Sequence, residues 1–174
     1  MNRDFSEWVS KARKGDSDAF AKLYSLVYKD LYYIALSNLK NSHDASDVVS
    51  DTVLDAFTSI KKLKDESAFK AWIIRILTVK IKRKQAEYIK MRNNTTEMSD
   101  EIEQTVPSRD NNFSGVELVQ QLGILSETER LVFSLSLICG YSSEEISELT
   151  GIKPSTVRSH LYRGREKLKN ELTV

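Results

Sequence analysis

Between Phe20 and Ile81, apolar side chains return every three or four residues in three successive blocks, a spacing that commits this part of the chain to amphipathic helices. The first block carries Phe20, Leu23, Tyr24, Val27, Leu31, Ile34, Ala35 and Leu39. The second carries Val48, Val49, Val53, Ala56, Phe57 and Ile60, beyond a turn at Asn41-Ser42-His43. The third carries Phe69, Trp72, Ile73, Ile76, Leu77 and Ile81. No single stripe can bury itself, so three in a row predict a small all-α bundle. The 2 Pro and 6 Gly in 174 residues agree, because turn-rich β architectures need more of both.

Periodicity stops between Asn93 and Gly115, where Asn-Asn-Thr-Thr, Pro107 and scattered carboxylates replace the apolar stripe. Regular spacing returns from Val116. The pattern predicts two small helical domains, residues 1–92 and 118–174, joined by a flexible acidic linker over residues 93–117.

The C-terminal unit carries the sharpest local motif, from Tyr141 to Leu168. Ser142 with Glu145 fits a capping box that satisfies the free N–H groups opening a helix. Gly151 stands where that helix must end at positive φ, and Pro154 stands in the first turn of the next helix, where its missing N–H costs nothing. Ile146, Leu149, Ile152, Val157 and Leu161 supply the contacts between the two. This is the order of a helix-turn-helix. Its second helix carries Arg158, Ser159, Tyr162, Arg163 and Arg165 near the outer face, and residues 153–169 hold six basic side chains against Glu166 alone. Such a helix can enter a major groove, whereas an ordinary helical hairpin would merely solvate the same charges. His160 reads as a packing or phosphate-proximal residue.

Net charge hides this distribution. The chain has 26 Lys+Arg and 25 Asp+Glu, a formal +1, which excludes a uniform polybasic coat on DNA. Counted by segment, the charge is +6 over residues 1–92, −5 over 93–117 and 0 over 118–174. Residues 70–92 alone hold eight Lys/Arg and one acid, Glu87, with Arg75, Val79 and Lys82 sharing a helix face. Phe69 and Trp72 beside them fit either core packing or stacking on unpaired bases. Asp44, Asp47, Asp51 and Asp55 recur along one side of the second helix. The helix dipole favours only the first turn of such a ridge, which leaves a basic protein partner or a solvated face for the rest.

Catalytic arrangements are not visible. His43, His160 and Cys139 are far apart in sequence, with no Cys-x-x-Cys, His-Glu-x-x-His or phosphate-cradling glycine loop. No enzyme, metal or cofactor is expected. One cysteine cannot form an internal disulfide, the N-terminus does not resemble a secretion signal, and apolar runs are far shorter than a membrane span. A cytoplasmic protein is the expectation.

The order of these parts resembles bacterial extracytoplasmic-function sigma factors, the small two-domain class of RNA polymerase specificity subunits. Gly15-Asp-Ser-Asp-Ala-Phe-Ala-Lys-Leu-Tyr24, Asp44-Ala-Ser-Asp-Val-Val-Ser-Asp-Thr-Val-Leu54 and Phe69-Lys-Ala-Trp-Ile-Ile-Arg-Ile-Leu77 look like that family's second conserved region. Leu125-Ser-Glu-Thr-Glu-Arg-Leu-Val-Phe133 and Gly140-Tyr-Ser-Ser-Glu-Glu-Ile146 look like its fourth. The resemblance implies a non-enzymatic initiation factor whose partners are RNA polymerase core enzyme, through its β′ clamp and β subunits, promoter DNA and an anti-sigma factor, often membrane-bound. It implies that Asp47 and Asp51 dock on the β′ clamp, and that Arg75, Val79, Lys82 and Arg83 face the minus 10 element. The loop from Lys64 to Ala68 would capture a flipped base, and Arg158, Ser159, Tyr162 and Arg163 would grip the minus 35 element. The acidic linker would run toward the RNA path. The sequence departs from the family where Val79 replaces a usual Asn, Arg83 a frequent Asp, and Gly164 a common Ala. Val79 cannot hydrogen-bond a base edge. Gly164 costs its helix about 1 kcal/mol against Ala unless something approaches closely there. The rival reading is a free-standing helix-turn-helix regulator of duplex operators, and a blander one is a helical adaptor without DNA contact.

Overall fold

The computed structural model describes residues 3–94 and 119–172. Every regular element among them is helical: α1 Arg3–Arg13, α2 Ser17–Leu39, α3 Ser42–Ser59, α4 Phe69–Asn94, α5 Glu127–Cys139, α6 Ser143–Thr150 and α7 Pro154–Leu172. Short 3₁₀ turns accompany them at Ile60–Lys62, Glu66–Ala68 and Leu122–Ile124.

The predicted stripes become α2, α3 and α4 with local signals at their ends. Asp16 accepts from the Ala19 N–H at 3.0 Å to open α2, and Asn41 accepts from the Asp44 N–H at 2.9 Å to open α3. The turn between them is tighter than expected: Lys40, left-handed at φ 56°, and Asn41 make it, while Ser42 and His43 are already helical. α4 runs through Asn94, so the first two residues of the expected linker belong to a helix. The rest of that linker lies outside the described residues.

Helix α1 is an addition to the expected set. Phe5, Trp8, Val9 and Ala12 repeat at three, four and seven, and Val9 is fully buried, so the same periodicity operates there. Phe5 packs edge-on against Phe69 with ring centroids 5.9 Å apart, tying α1 to the start of α4. Trp72 joins this cluster, tilted against Phe69 at 6.0 Å, and is half-buried; core packing is its role.

The two halves share a core. Ile34, Ala35, Leu36, Ser37, Asn38 and Leu39 are all buried, around the full circumference of the helix. An amphipathic stripe leaves one face wet; here α3 and α4 cover one side of α2 and α5 covers the other. Leu131, Val132, Leu135, Ile146, Leu149 and Val157 of the C-terminal half therefore belong to the same buried cluster as Leu23 and Ile73. Each fully buried Leu or Ile contributes about 1.5–3 kcal/mol. A second small cluster, Leu122, Leu125 and Phe133 with Leu161 and Leu168, holds the C-terminal helices to one another.

Gly164 answers its own cost. A Cβ at this buried position of α7 would strike the Phe133 ring, so glycine lets α5 and α7 approach closely.

Candidate nucleic-acid interface

α6 and α7 form the helix-turn-helix as read from the sequence. Ser142 and Glu145 make both bonds of the capping box, at 2.8 and 3.2 Å. Gly151 closes α6 at φ 75°, and its N–H donates to the Ser147 carbonyl at 2.8 Å. Pro154 is the first residue of α7. Ile146, Leu149 and Val157 are buried, which fixes the helix crossing and leaves Arg158, Ser159, Tyr162 and Arg163 outward. These four, with Ser155 and Thr156, line one open concavity on α7.

The face is poised rather than locked. Arg158 Nη1 donates to Glu144 Oε1 at 2.9 Å, but both side chains are more than half exposed, and such pairs are worth about 0–1 kcal/mol. A phosphate or guanine can replace that carboxylate. Tyr162 is 67 % exposed and presents its ring to solvent. Arg163 reaches back to the Ser159 carbonyl and the His160 ring. Burial, then the neighbouring Arg163, hold His160 below its ordinary pKa, which matches a packing role. Burial likewise pushes the Cys139 thiol up to about 12, so it stays protonated.

The basic helix α4 behaves differently. Lys70 pairs with Asp30 at 2.7 Å, Lys80 with Asp55 at 2.7 Å and Lys84 with Asp44 at 2.9 Å. Arg75, Val79, Lys82 and Arg83 are exposed together, as their spacing predicts, and Val79 is 63 % exposed between its cationic neighbours. Arg83 pairs loosely with Glu87 along its own helix. Arg75 and Lys82 cross to the other half: Arg75 Nη2 donates to the Glu148 carbonyl at 2.8 Å and Lys82 Nζ to the Thr150 carbonyl at 2.9 Å.

The acidic ridge of α3 divides in the same way. Asp44 and Asp55 face α4. Burial opposes the charge on Asp44, but the Tyr88 hydroxyl and the Lys84 ammonium outweigh it and hold the carboxyl below its ordinary value. Asp47 and Asp51 point outward, with Asp47 3.5 Å from the His43 ring. Leu54, 61 % exposed, lies on their helix face at i+7 and i+3, with exposed Phe57 at its edge. The apolar stripe expected from the spacing includes Phe57 and leaves out Leu54. Phe57 instead packs edge-on against Phe20 at 5.1 Å and keeps much of its ring in solvent. The available signal was that Leu54 falls out of phase with Val49, Val53 and Ala56.

In the loop before α4, Asp65 accepts from both the Ser67 N–H and hydroxyl, which rigidifies the turn Glu66–Ala68. Lys64 and Ser67 are exposed and Ala68 is half-buried.

An acidic outward helix, a basic helix beside it and a helix-turn-helix with an exposed basic face are the parts of a DNA-binding transcription factor. Family models agree: residues 23–87 match Sigma-70 region 2 and residues 115–168 match Sigma-70, region 4. The chain is 29 % identical over 177 residues to the ECF RNA polymerase sigma factor SigW of Bacillus subtilis, covering 94 % of each. It is 27 % identical over 146 residues to the RNA polymerase sigma factor SigV of the same organism, covering 83 % of this chain and 86 % of that one. Its fold is similar to that of the sigma factor RpoE in complex with the anti-sigma factor NepR from Bartonella quintana, with TM-score 0.72 and 24 % identity over 89 % of this chain and 97 % of that one. The chain belongs to the extracytoplasmic-function class of RNA polymerase sigma factors, which direct core polymerase to promoters and act as initiation factors rather than enzymes. The region 2 match disfavours a free-standing operator-binding regulator.

Proposed function

We propose a residue-level division of labour within this sigma factor. Asp47 and Asp51, with Leu54 and Phe57 beside them, form the surface that docks on the polymerase β′ clamp, and the β subunit receives the C-terminal unit. Arg75, Val79, Lys82 and Arg83 face the minus 10 element, while Arg158, Ser159, Tyr162 and Arg163 hold the minus 35 element. The single supporting observation is the sorting of charge: Asp44 and Asp55 pair with Lys84 and Lys80 between the two helices, while the residues named here are all exposed. Val79 offers a methyl surface, so this position contributes apolar contact with a base in place of a hydrogen bond.

The domains are residues 1–92 and 118–174, with the acidic segment between them near the RNA path. An anti-sigma factor is the proposed inhibitor, by analogy with the partner of the similar RpoE structure. No described helix is long and apolar enough to cross a membrane, which is compatible with a cytoplasmic factor held at the membrane by that inhibitor.

Run-off transcription with purified core enzyme tests the reading. Core-dependent transcripts from mapped promoters are expected. Asp47→Arg lowers core binding and spares DNA contact by the C-terminal unit, whereas Arg158→Ala lowers promoter affinity and spares core binding. Equal loss of core binding from both variants overturns the division.

A further inference from the structure

Among the described residues of α4, the large apolar side chains left exposed are Val79 in mid-helix and Ile89 and Met91 near its end. Val79 does little for the fold. A β-branched residue suits a helix less well than the Lys, Arg or Ala that an outer face ordinarily carries, and a side chain mostly in water returns little burial for that cost. Its surroundings are cationic: Arg75 stands at i−4, Lys82 at i+3 and Arg83 at i+4, all exposed.

The position of its two methyl groups is well fixed. Valine in a helix keeps essentially one rotamer. The backbone beneath is held by Ile73, Ile74, Leu77 and Ile81, all fully buried, and by the pairing of Lys80 with Asp55 and Lys84 with Asp44. The cations around it keep donors to spare: Arg75 gives Nη2 to the Glu148 carbonyl and Lys82 one N–H to the Thr150 carbonyl, while Arg83 lies only loosely against Glu87 at 3.6 Å. Cations that grip phosphates set the register of a strand, and base edges then fall over the side chain between them.

An isopropyl group cannot exchange hydrogen bonds with a base. Adenine and guanine present N7 with an amino or carbonyl group, and cytosine an amino group, all of which lose water over Val79 and gain no partner. Thymine presents a C5 methyl, the one apolar group on the major-groove edges. We propose that Val79 is a specificity-determining residue that reads the C5 methyl of one thymine in the minus 10 element. The inference rests on the assignment of the exposed row of α4 to that element and adds the base and the atom that are read.

Thymine-to-deoxyuridine exchange tests it, because uracil pairs as thymine does and lacks only the methyl. Each thymine of a mapped minus 10 element is replaced in turn, and modified and unmodified templates compete for limiting core enzyme loaded with the full chain. At one position the deoxyuridine template yields about fourfold less transcript, the worth of one methyl-sized group removed from water. Val79→Ala, a change that favours the helix, transcribes the two templates equally. With the native chain, 5-methylcytosine at that position outperforms cytosine. Equal yields from every exchanged template, a loss that persists in Val79→Ala, or no gain from 5-methylcytosine overturns the methyl reading and leaves the assignment of α4 to the minus 10 element intact. Absence of core-dependent transcript from the unmodified promoter defeats that assignment and the methyl reading together.

Discussion

α4 and α7 look alike as strings of residues: each is a helix dense in Lys and Arg beside apolar anchors, and each reads as a nucleic-acid surface. In the folded protein they meet opposite surroundings. α4 lies between α2, α3 and α6, so Lys70, Lys80, Lys84, Arg75 and Lys82 all find acceptors on other elements. α7 lies at the outside, where, among the described residues, Arg158 pairs with an exposed glutamate and Arg163 with neighbours on its own helix. Basic composition therefore indicates where positive charge is, while the packing partners decide whether it stabilises the fold or waits for a ligand.

The largest expected effect tests the inner face of α7. Gly164→Ala should gain about 1 kcal/mol of helix propensity yet lower stability by about 1–3 kcal/mol net through collision with Phe133, measured by urea unfolding. A stabilised variant would show that α5 and α7 can part at no cost. On the outer face, Arg158→Ala should leave stability within about 0.5 kcal/mol and weaken minus 35 duplex binding by about 1–3 kcal/mol, read by titration with core enzyme present. Lys84→Met in α4 should do the reverse, losing about 1–2 kcal/mol of stability as Asp44 and Tyr88 lose their cation. If Arg158→Ala and Lys84→Met have the same stability cost, the contrast between the helices fails.

The smallest effect is a pH dependence. At buried Glu129, desolvation opposes the charge, but Lys167 and the Ser126 hydroxyl and N–H overcome it and lower its pKa. Its contribution is complete above the unfolded glutamate value near about 4.3 and is lost as pH falls through the lower folded value. Glu129→Gln keeps the acceptor for the Ser126 N–H and should flatten this acid limb; an unchanged limb places the acid sensitivity elsewhere, with Asp44 the next group to replace.

Much of this was legible in the residues. The helix-turn-helix was fully so, because a capping box, a left-handed glycine and an N-terminal proline are local devices whose geometry depends on few distant atoms. Helix α1 carries the same periodic signal in Phe5, Trp8, Val9 and Ala12, yet it lies outside the three stripes read from the sequence. The close approach at Gly164 was foreseen only as a condition, since nothing local names Phe133 as the neighbour. The acidic ridge could be seen as four carboxylates, but not as two that pair with α4 and two that do not.

The sequence by itself determined the helices, their ends and the segments in which charge concentrates, because hydrophobic period, capping and turn chemistry act over a few residues. Only the tertiary structure decided that α2 is covered on both sides near Asn38, that Asp44 and Asp55 turn inward, and that Arg75 and Lys82 cap α6. Those outcomes depend on contacts between residues 25 to 96 positions apart. Such pairs form when whole helices bury their apolar faces together, and a charge then bonds to whichever acceptor that burial brings within reach.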